Sequence, residues 1–196
     1  MGVEVVERAD VARVAAALAR AFDDDPIMGH LLPPGRHLGR LAGYFTGALR
    51  VQHLEHGLCF TTEDRAAAAL WDPPGDWKMT VGQIARGGRW MFPAFGRYVP
   101  RALRCLSLME KQHPTEPHYY LAVLGTDPSR QGKGLGSAVL QPVFERCDTE
   151  GVPAYLESSK ASNIPFYERH GFKVTGEIAL PNGPSMWPMW REPQPA

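Results

Sequence analysis

Residues 118–140 read His-Tyr-Tyr-Leu-Ala-Val-Leu-Gly-Thr-Asp-Pro-Ser-Arg-Gln-Gly-Lys-Gly-Leu-Gly-Ser-Ala-Val-Leu, and few folds accommodate such a run. Tyr119 to Leu124 is apolar and aromatic, which predicts a buried strand. Asp127-Pro128-Ser129 is turn chemistry, with Pro fixing φ and Asp able to bond its own backbone. Arg130 to Gly136 then leads into Ser137 to Leu140, which reads as a helix. A strand, a glycine-rich turn and a helix N-terminus in succession make an anion site. The first N–H groups of a helix have no internal partner, and its dipole is positive at that end. Glycines let a diphosphate approach the bare backbone. A Walker loop needs Lys-Ser or Lys-Thr after its last glycine, and none stands here. Gly132, Gly134 and Gly136 give GxGxG where a dinucleotide fingerprint needs GxGxxG. The pattern that does fit is Gln131-x-x-Gly134-x-Gly136.

At 196 residues the chain is long enough for one well-buried domain, expected to span 1–196. Formal net charge is zero and no Lys/Arg run occurs, which argues against a nucleic-acid partner or a basic membrane-binding face. No apolar stretch nears the roughly eighteen residues of a membrane span. The first ten residues lack a signal-peptide core, and Val6 stands where myristoylation wants Ser or Thr. Cys59, Cys105 and Cys147 are far apart, fitting neither a metal spacing nor a disulfide framework. A reducing, cytoplasmic setting without a metal is therefore expected.

In chain order, Val3 to Val6 is a short strand candidate. Asp10 can cap a helix that carries Val11, Val14, Ala15, Leu18 and Phe22 at helical spacing and ends at Asp23-Asp24-Asp25-Pro26. His30 to Pro34 reads as a loop and Arg36 to Leu54 as a second helix bearing Tyr44. Strands are expected at 58–62 and 66–71 around a polar turn. Lys78 to His113 holds Gly, Pro and aromatic residues, Trp90 among them. It reads as two or three short helices and as a natural acceptor pocket. A long helix follows the glycine turn, with Leu135, Val139, Val143 and Cys147 on one face and Pro142 bending it. Next come a strand at 154–158, a short helix at 163–170 closed by Gly171, and strands at 172–178 and 186–190.

A second signal, Ala154 to Phe172 (AYLESSKASNIPFYERHGF), lies about thirty residues after the first. Together the two resemble the GCN5-related N-acetyltransferase (GNAT) family. The run from Leu121 to Glu177, with PNGPSMWPM after it, is similar to the C-terminal half of that family's puromycin N-acetyltransferase branch. The N-terminal half matches loosely, mainly at Ala21 to Pro26, so the resemblance does not carry a particular acceptor.

The resemblance implies an α/β fold. Its mixed, mostly antiparallel central sheet would have helices on both faces and a splayed strand pair holding the coenzyme A arm. Residues 116–190 would form the acetyl-CoA-binding core and 1–115 mostly the acceptor side. Backbone N–H groups of Gln131, Gly132, Lys133, Gly134, Leu135, Gly136 and Ser137 would anchor the pyrophosphate, with Arg130 or Lys133 adding charge. The strand Leu121-Ala122-Val123-Leu124 would pair with the pantetheine amides, as an added strand does. Asn163 would contact the same arm, and Tyr167, one turn later on the same face, would be the general acid. The alternative for Tyr167 is a core aromatic of a short amphipathic helix; its place one turn after Asn163 favours catalysis.

Glu157 is the best candidate base, because a carboxylate in a core strand is costly unless used or paired. His118 is the runner-up. Asp24 and Asp25 could hold a cationic acceptor or merely end a helix in solvent. His30, Tyr44, Trp90 and Tyr120 complete the candidate acceptor contacts. The expected activity is direct transfer of acetyl from acetyl-CoA to an amine of a small molecule: an antibiotic, an aminonucleoside or a biosynthetic intermediate. The chain would work as a monomer or homodimer. A hydroxyl acceptor, a longer acyl donor, a peptide N-terminus and a non-catalytic coenzyme A sensor are the rival readings.

Overall fold

The computed structural model describes residues 2–35 and 37–194. Its elements in order are β1 (Val3–Val5), α1 (Val11–Ala21), α2 (Pro26–Leu31), α3 (His37–Ala48), β2 (Cys59–Thr62) and β3 (Ala67–Asp72). Then come α4 (Val81–Phe95), α5 (Val99–Gln112), β4 (Tyr119–Thr126), α6 (Leu135–Glu150), β5 (Ala154–Ser158), α7 (Ile164–Glu168), β6 (Lys173–Val174), β7 (Ile178–Ala179) and β8 (Ser185–Arg191). Among the described residues these strands make one eight-stranded sheet, ordered β1-β2-β3-β4-β5-β8-β6, with β7 also on β8. Its pairings are antiparallel except β4 with β5. This is the mixed α/β architecture expected from the sequence.

β3 shows why the sheet has helices on both faces. All six of its residues are buried. Ala68 and Leu70 join the core under α1 and α3, with Val14, Leu18 and Phe45. Ala67, Ala69 and Trp71 join the core under α6, with Val139, Leu140, Val143 and Phe144. The period of two sends alternate residues to opposite helix layers. The expected apolar face of α6 is the buried one, and the helix runs through Pro142 to Glu150.

Several local expectations are corrected. Pro26 starts α2 rather than following a stop, because Asp25 takes extended backbone and its side chain accepts from Met28 N at 2.9 Å. Pro at the first helical position needs no donor, so Asp-Pro here is a start signal. His30 consequently sits in a helix and not in a loop. Asp10 precedes α1 without capping it through its side chain. It accepts from Glu7 N and from Arg65 instead. The second helix continues from α3 as a π-turn, Leu49–His53, and a 3₁₀ turn, Leu54–His56. Its predicted first residue, Arg36, lies outside the described residues. The segment from 78 to 113 forms two long helices, α4 and α5, with Pro93 inside α4.

The strand expected at 172–178 is broken into β6 and β7. Thr175 N donates to the Pro188 carbonyl, but Pro188 has no N–H to return, so the ladder with β8 lapses there.

The strand pair that matters most is β4–β5. It pairs in parallel at Tyr119 with Ala154 and at Tyr120 with Tyr155, and no further. Beyond Tyr120, β4 follows β3, with a register shift opposite Leu70 and Trp71 that leaves Ala122 without a β3 partner. β5 follows β8 through Ser158. The strands therefore diverge.

Gly125 sets how closely α1 approaches β4. A Cβ built there would stand 2.8 Å from Leu18 Cδ2 and 3.0 Å from Ala21 Cβ. Gly125→Ala is expected to lower stability by about 1–3 kcal/mol through overpacking. The check is a drop in the urea midpoint at unchanged m. An unmoved midpoint would show that the helix yields without cost.

Candidate active site

The divergence of β4 from β5 opens two adjoining spaces. The outer one is a cleft of about 500 Å³ at the start of α6. Gly132 and Gly134 line it with φ of +73° and +75°, in the left-handed region. A Cβ at either would meet nothing within 4 Å, so backbone conformation and not crowding calls for glycine there. Gly134 caps α6 without a side-chain bond, which leaves first-turn N–H groups without a side-chain acceptor beside the cleft. Leu124, Thr126, Gln131, Ser137, Asn163, Phe166 and Tyr167 complete much of the wall, and Lys160 and Arg169 bring positive charge.

The inner space is a cavity of about 200 Å³ between the diverging strands. Leu121 to Leu124 line one side and Leu156, Glu157 and Ser159 the other. Asp25, Tyr44, Cys105, Met109 and Met186 also face it. Asn163 and Tyr167 stand in the walls of both spaces.

Two carboxylates reach the cavity, and their partners differ. Asp25 has both oxygens engaged: Oδ1 accepts from Met28 N, and Oδ2 accepts from the Ser159 hydroxyl. Asp24 pairs with Lys160. The acidic triplet thus ties α2 to the loop after β5. Glu157 Oε2 accepts from the Tyr120 hydroxyl at 2.8 Å, while Oε1 is buried without a hydrogen-bond partner. The nearest imidazole, His113 Nδ1, is 3.7 Å from Oε1, too long for a hydrogen bond. His113 Nε2 lies 3.0 Å from His118 Nε2, and His118 Nδ1 lies 2.6 Å from the Glu116 carbonyl. A carbonyl only accepts, so His118 Nδ1 carries the proton, and His113 Nε2–H must be the donor between the rings. His113 Nδ1 is the ring nitrogen that faces Glu157.

Burial, followed by the charge of Asp25, holds the Tyr167 hydroxyl well above its ordinary range. Burial, followed by the charge of Glu157, pushes the Cys105 thiol up to about 11. A cysteine thus reaches the cavity, but burial favours its protonated form.

The acetyltransferase (GNAT) family matches residues 20–172. This chain belongs to that family. It is an acyltransferase, and GNAT enzymes use acetyl-CoA as co-substrate. The enzyme is 30% identical, over a 209-residue alignment, to an uncharacterized N-acetyltransferase of Schizosaccharomyces pombe, covering 99% of this chain and 84% of the relative. Its fold is similar to that of histone acetyltransferase HPA2 and related acetyltransferase from Corynebacterium glutamicum. That likeness is 24% identity with a TM-score of 0.73, over 99% of this chain and 97% of the other. The Drosophila melanogaster polyamine N acetyltransferase is similar in fold too, at 16% identity and a TM-score of 0.67, over 97% and 99% of the two chains.

The residues present suit the co-substrate, since the glycine turn offers a bare backbone and the cleft continues to Tyr167. Not every expected residue of this GNAT enzyme meets at the site. Arg130 turns to Asp64, with which it is ion-paired, and Lys133 is exposed outside the cleft wall. Lys160 and Arg169 are the cations there, and sequence reasoning missed them. His30 lines a separate cleft beside α5, and Trp90 lies against α3 and packs over Gly47. Neither joins the cavity around Glu157. His118 and Tyr120 stand behind Glu157 and not in the cavity wall. Cys105 and Met109, from the 78–113 segment expected to build the acceptor pocket, do line the cavity, and His113 stands behind Glu157.

Burial depresses the His118 and His170 imidazoles below the ordinary 6.5. The folded acetyltransferase therefore binds fewer protons than the unfolded chain in mild acid. Stability from these two histidines is complete above about pH 6.5 and is lost as pH falls through 6.5 towards their folded values. The melting temperature should fall from pH 7 to about pH 5, and His118→Phe should flatten that slope. An identical slope in the variant would contradict the assignment.

Proposed function

We propose that this acetyltransferase moves acetyl from acetyl-CoA to an amine of a small molecule by direct attack. The observation that carries the reading is the position of Tyr167. It stands in the wall between a cleft with a bare-backbone anion site and a cavity holding one under-bonded carboxylate. When bound, acetyl-CoA supplies an acetyl thioester, whose transfer forms a C–N bond, breaks a C–S bond and releases a thiol.

The N–H groups of Gly134 to Ser137, with Gln131 and Asn163, would hold the pyrophosphate end. Backbone of Leu121 to Leu124, freed from β5, would hold the amide arm. Glu157 Oε1 would take a proton from the amine. Its other oxygen is steadied by Tyr120, and Oε1 itself faces His113 Nδ1 at 3.7 Å. His113 can pass charge on to His118 through their 3.0 Å contact.

Tyr167 Oη would donate to the departing sulfur. A raised phenol makes complete proton transfer harder, but desolvation lifts a thiol at the same place, as it lifts Cys105 to about 11. Burial thus shifts phenol and thiol in the same direction. Because Cys105 stays protonated, an acyl-cysteine route has no ready nucleophile. A walled cavity of about 200 Å³ supports a small acceptor over a protein tail. The amine antibiotics, aminonucleosides and biosynthetic amines expected from the sequence are the first to try. Every group invoked comes from one chain, so the reading is compatible with a monomer or a homodimer and with one functional unit.

A hydroxyl acceptor is the second reading. The His113–His118 pair behind Glu157 favours it, because a hydroxyl demands the stronger base. Two variants test the roles. Tyr167→Phe should lower kcat about 10²–10⁴-fold with little change in the KM for acetyl-CoA. Glu157→Gln should remove the acidic limb of the pH–rate profile. Full turnover by Tyr167→Phe with chemistry rate-limiting, or an unmoved profile for Glu157→Gln, would sink the respective role.

A further inference from the structure

A second cleft, of about 360 Å³, lies beside the acceptor cavity and takes no part in the roles above. α2, α5 and the turn between β7 and β8 enclose it. Its charged lining is cationic: Arg101 and Arg104 from α5, with His30 at its edge and no carboxylate among the described residues of the wall. Arg101 spends one N–H on the His30 carbonyl at 2.7 Å and lies over the Tyr98 ring at 4.5 Å. Neither contact neutralises its charge. Arg104 is exposed and makes no hydrogen bond or ion pair among the described residues.

Leu31 and Cys105 belong to the walls of both this cleft and the cavity that holds Glu157. The two spaces therefore adjoin across these side chains. α5 carries the connection. Arg101, Cys105 and Met109 are spaced i, i+4, i+8 on one helix face, Arg101 in the cleft, Met109 in the cavity and Cys105 in both. The run from Arg101 to Met109 covers about 12 Å of helix axis. Charge reverses along it. The inner end has the carboxylates Asp25 and Glu157, and the outer end has two guanidinium groups.

From this we infer that the acceptor is a dipolar molecule: a primary amine with an anionic group, carboxylate or phosphate, at its far end. The inference rests on the acetyl-transfer reading and names the acceptor class for that same site. The amine occupies the cavity at Glu157. The body passes Cys105 and Leu31, with Leu31 turning aside, and the anion meets Arg101 and Arg104 in the outer cleft. Guanidinium forks match the planar oxygens of a carboxylate and the oxygens of a phosphate. A diamine would gain at the inner end and be repelled at the outer one. The outer cleft thus selects against acceptors that are cationic throughout.

The test is thiol release from acetyl-CoA by the full chain with chain-length-matched acceptors: an ω-amino carboxylate, an aminoalkyl phosphate, an alkylamine and a diamine. The expected kcat/KM for at least one anionic amine exceeds that of the alkylamine by about tenfold or more, as a charge-assisted contact provides. The better of the two identifies carboxylate or phosphate. Arg104→Glu should abolish that preference and raise diamine turnover, leaving the KM for acetyl-CoA and the melting temperature unchanged. Equal turnover of alkylamine and anionic amines, or a preference that survives Arg104→Glu and Arg101→Glu, would overturn the inference while keeping the amine reading. Silence from all four amines, with hydroxyl compounds acetylated, would overturn the amine reading itself.

Discussion

Two residues of parallel pairing decide the architecture of this enzyme. Tyr119 and Tyr120 hold β4 to Ala154 and Tyr155 of β5, and the ladder then stops. Had it continued, the sheet would be closed and its centre filled. Instead β4 stays with β3, β5 stays with β8, and the gap becomes the cavity. The glycine turn after β4 and the short helix after β5 cap that gap at its outer end. The two parting strands, with the turn or helix at the end of each, line much of the cleft, and α2, α3 and α5 complete the cavity wall.

The gap is also where charge is handled. Sheet and helices bury Glu157 so thoroughly that one oxygen has the Tyr120 hydroxyl and the other nothing. A buried carboxylate in that state is costly. His113, held between Trp77 and the ring of His118, turns its Nδ1 towards it. Asp25, in contrast, is fully bonded and works as a strut between α2 and the loop that leads to α7. Two acids in one cavity have separate tasks because their hydrogen bonds differ.

The parts of this arrangement that depend on short stretches were legible in the sequence. The glycine turn and the β5 strand are written in consecutive residues, and so is the pair of Asn163, which precedes α7, and Tyr167 within it. Binary patterning fixed the α6 face, down to Cys147. The features that escaped reading depend on the fold. Asp25-Pro26 carries the residues of both a helix stop and a helix start, and the Met28 N–H decides between them. The break between β6 and β7 arises from Pro188, a residue on another strand. Trp90 and His30 looked like acceptor contacts by composition, yet α4 and α2 carry them to other surfaces. His113 and Cys105 enter the site from α5 and its end, about fifty residues before Glu157, and no spacing rule could link them.

In the proposed mode of binding, the bare-backbone turn at the start of α6 receives the diphosphate of the co-substrate, with the thioester end reaching Tyr167. The most direct measurement is amide NMR of the isotopically labelled protein titrated with coenzyme A. The largest shifts are expected at the N–H groups of Gln131 to Ser137, with a second set at Leu121 to Leu124 and around Asn163 and Tyr167. Saturable binding that leaves residues 131–137 unmoved and perturbs another surface would contradict it.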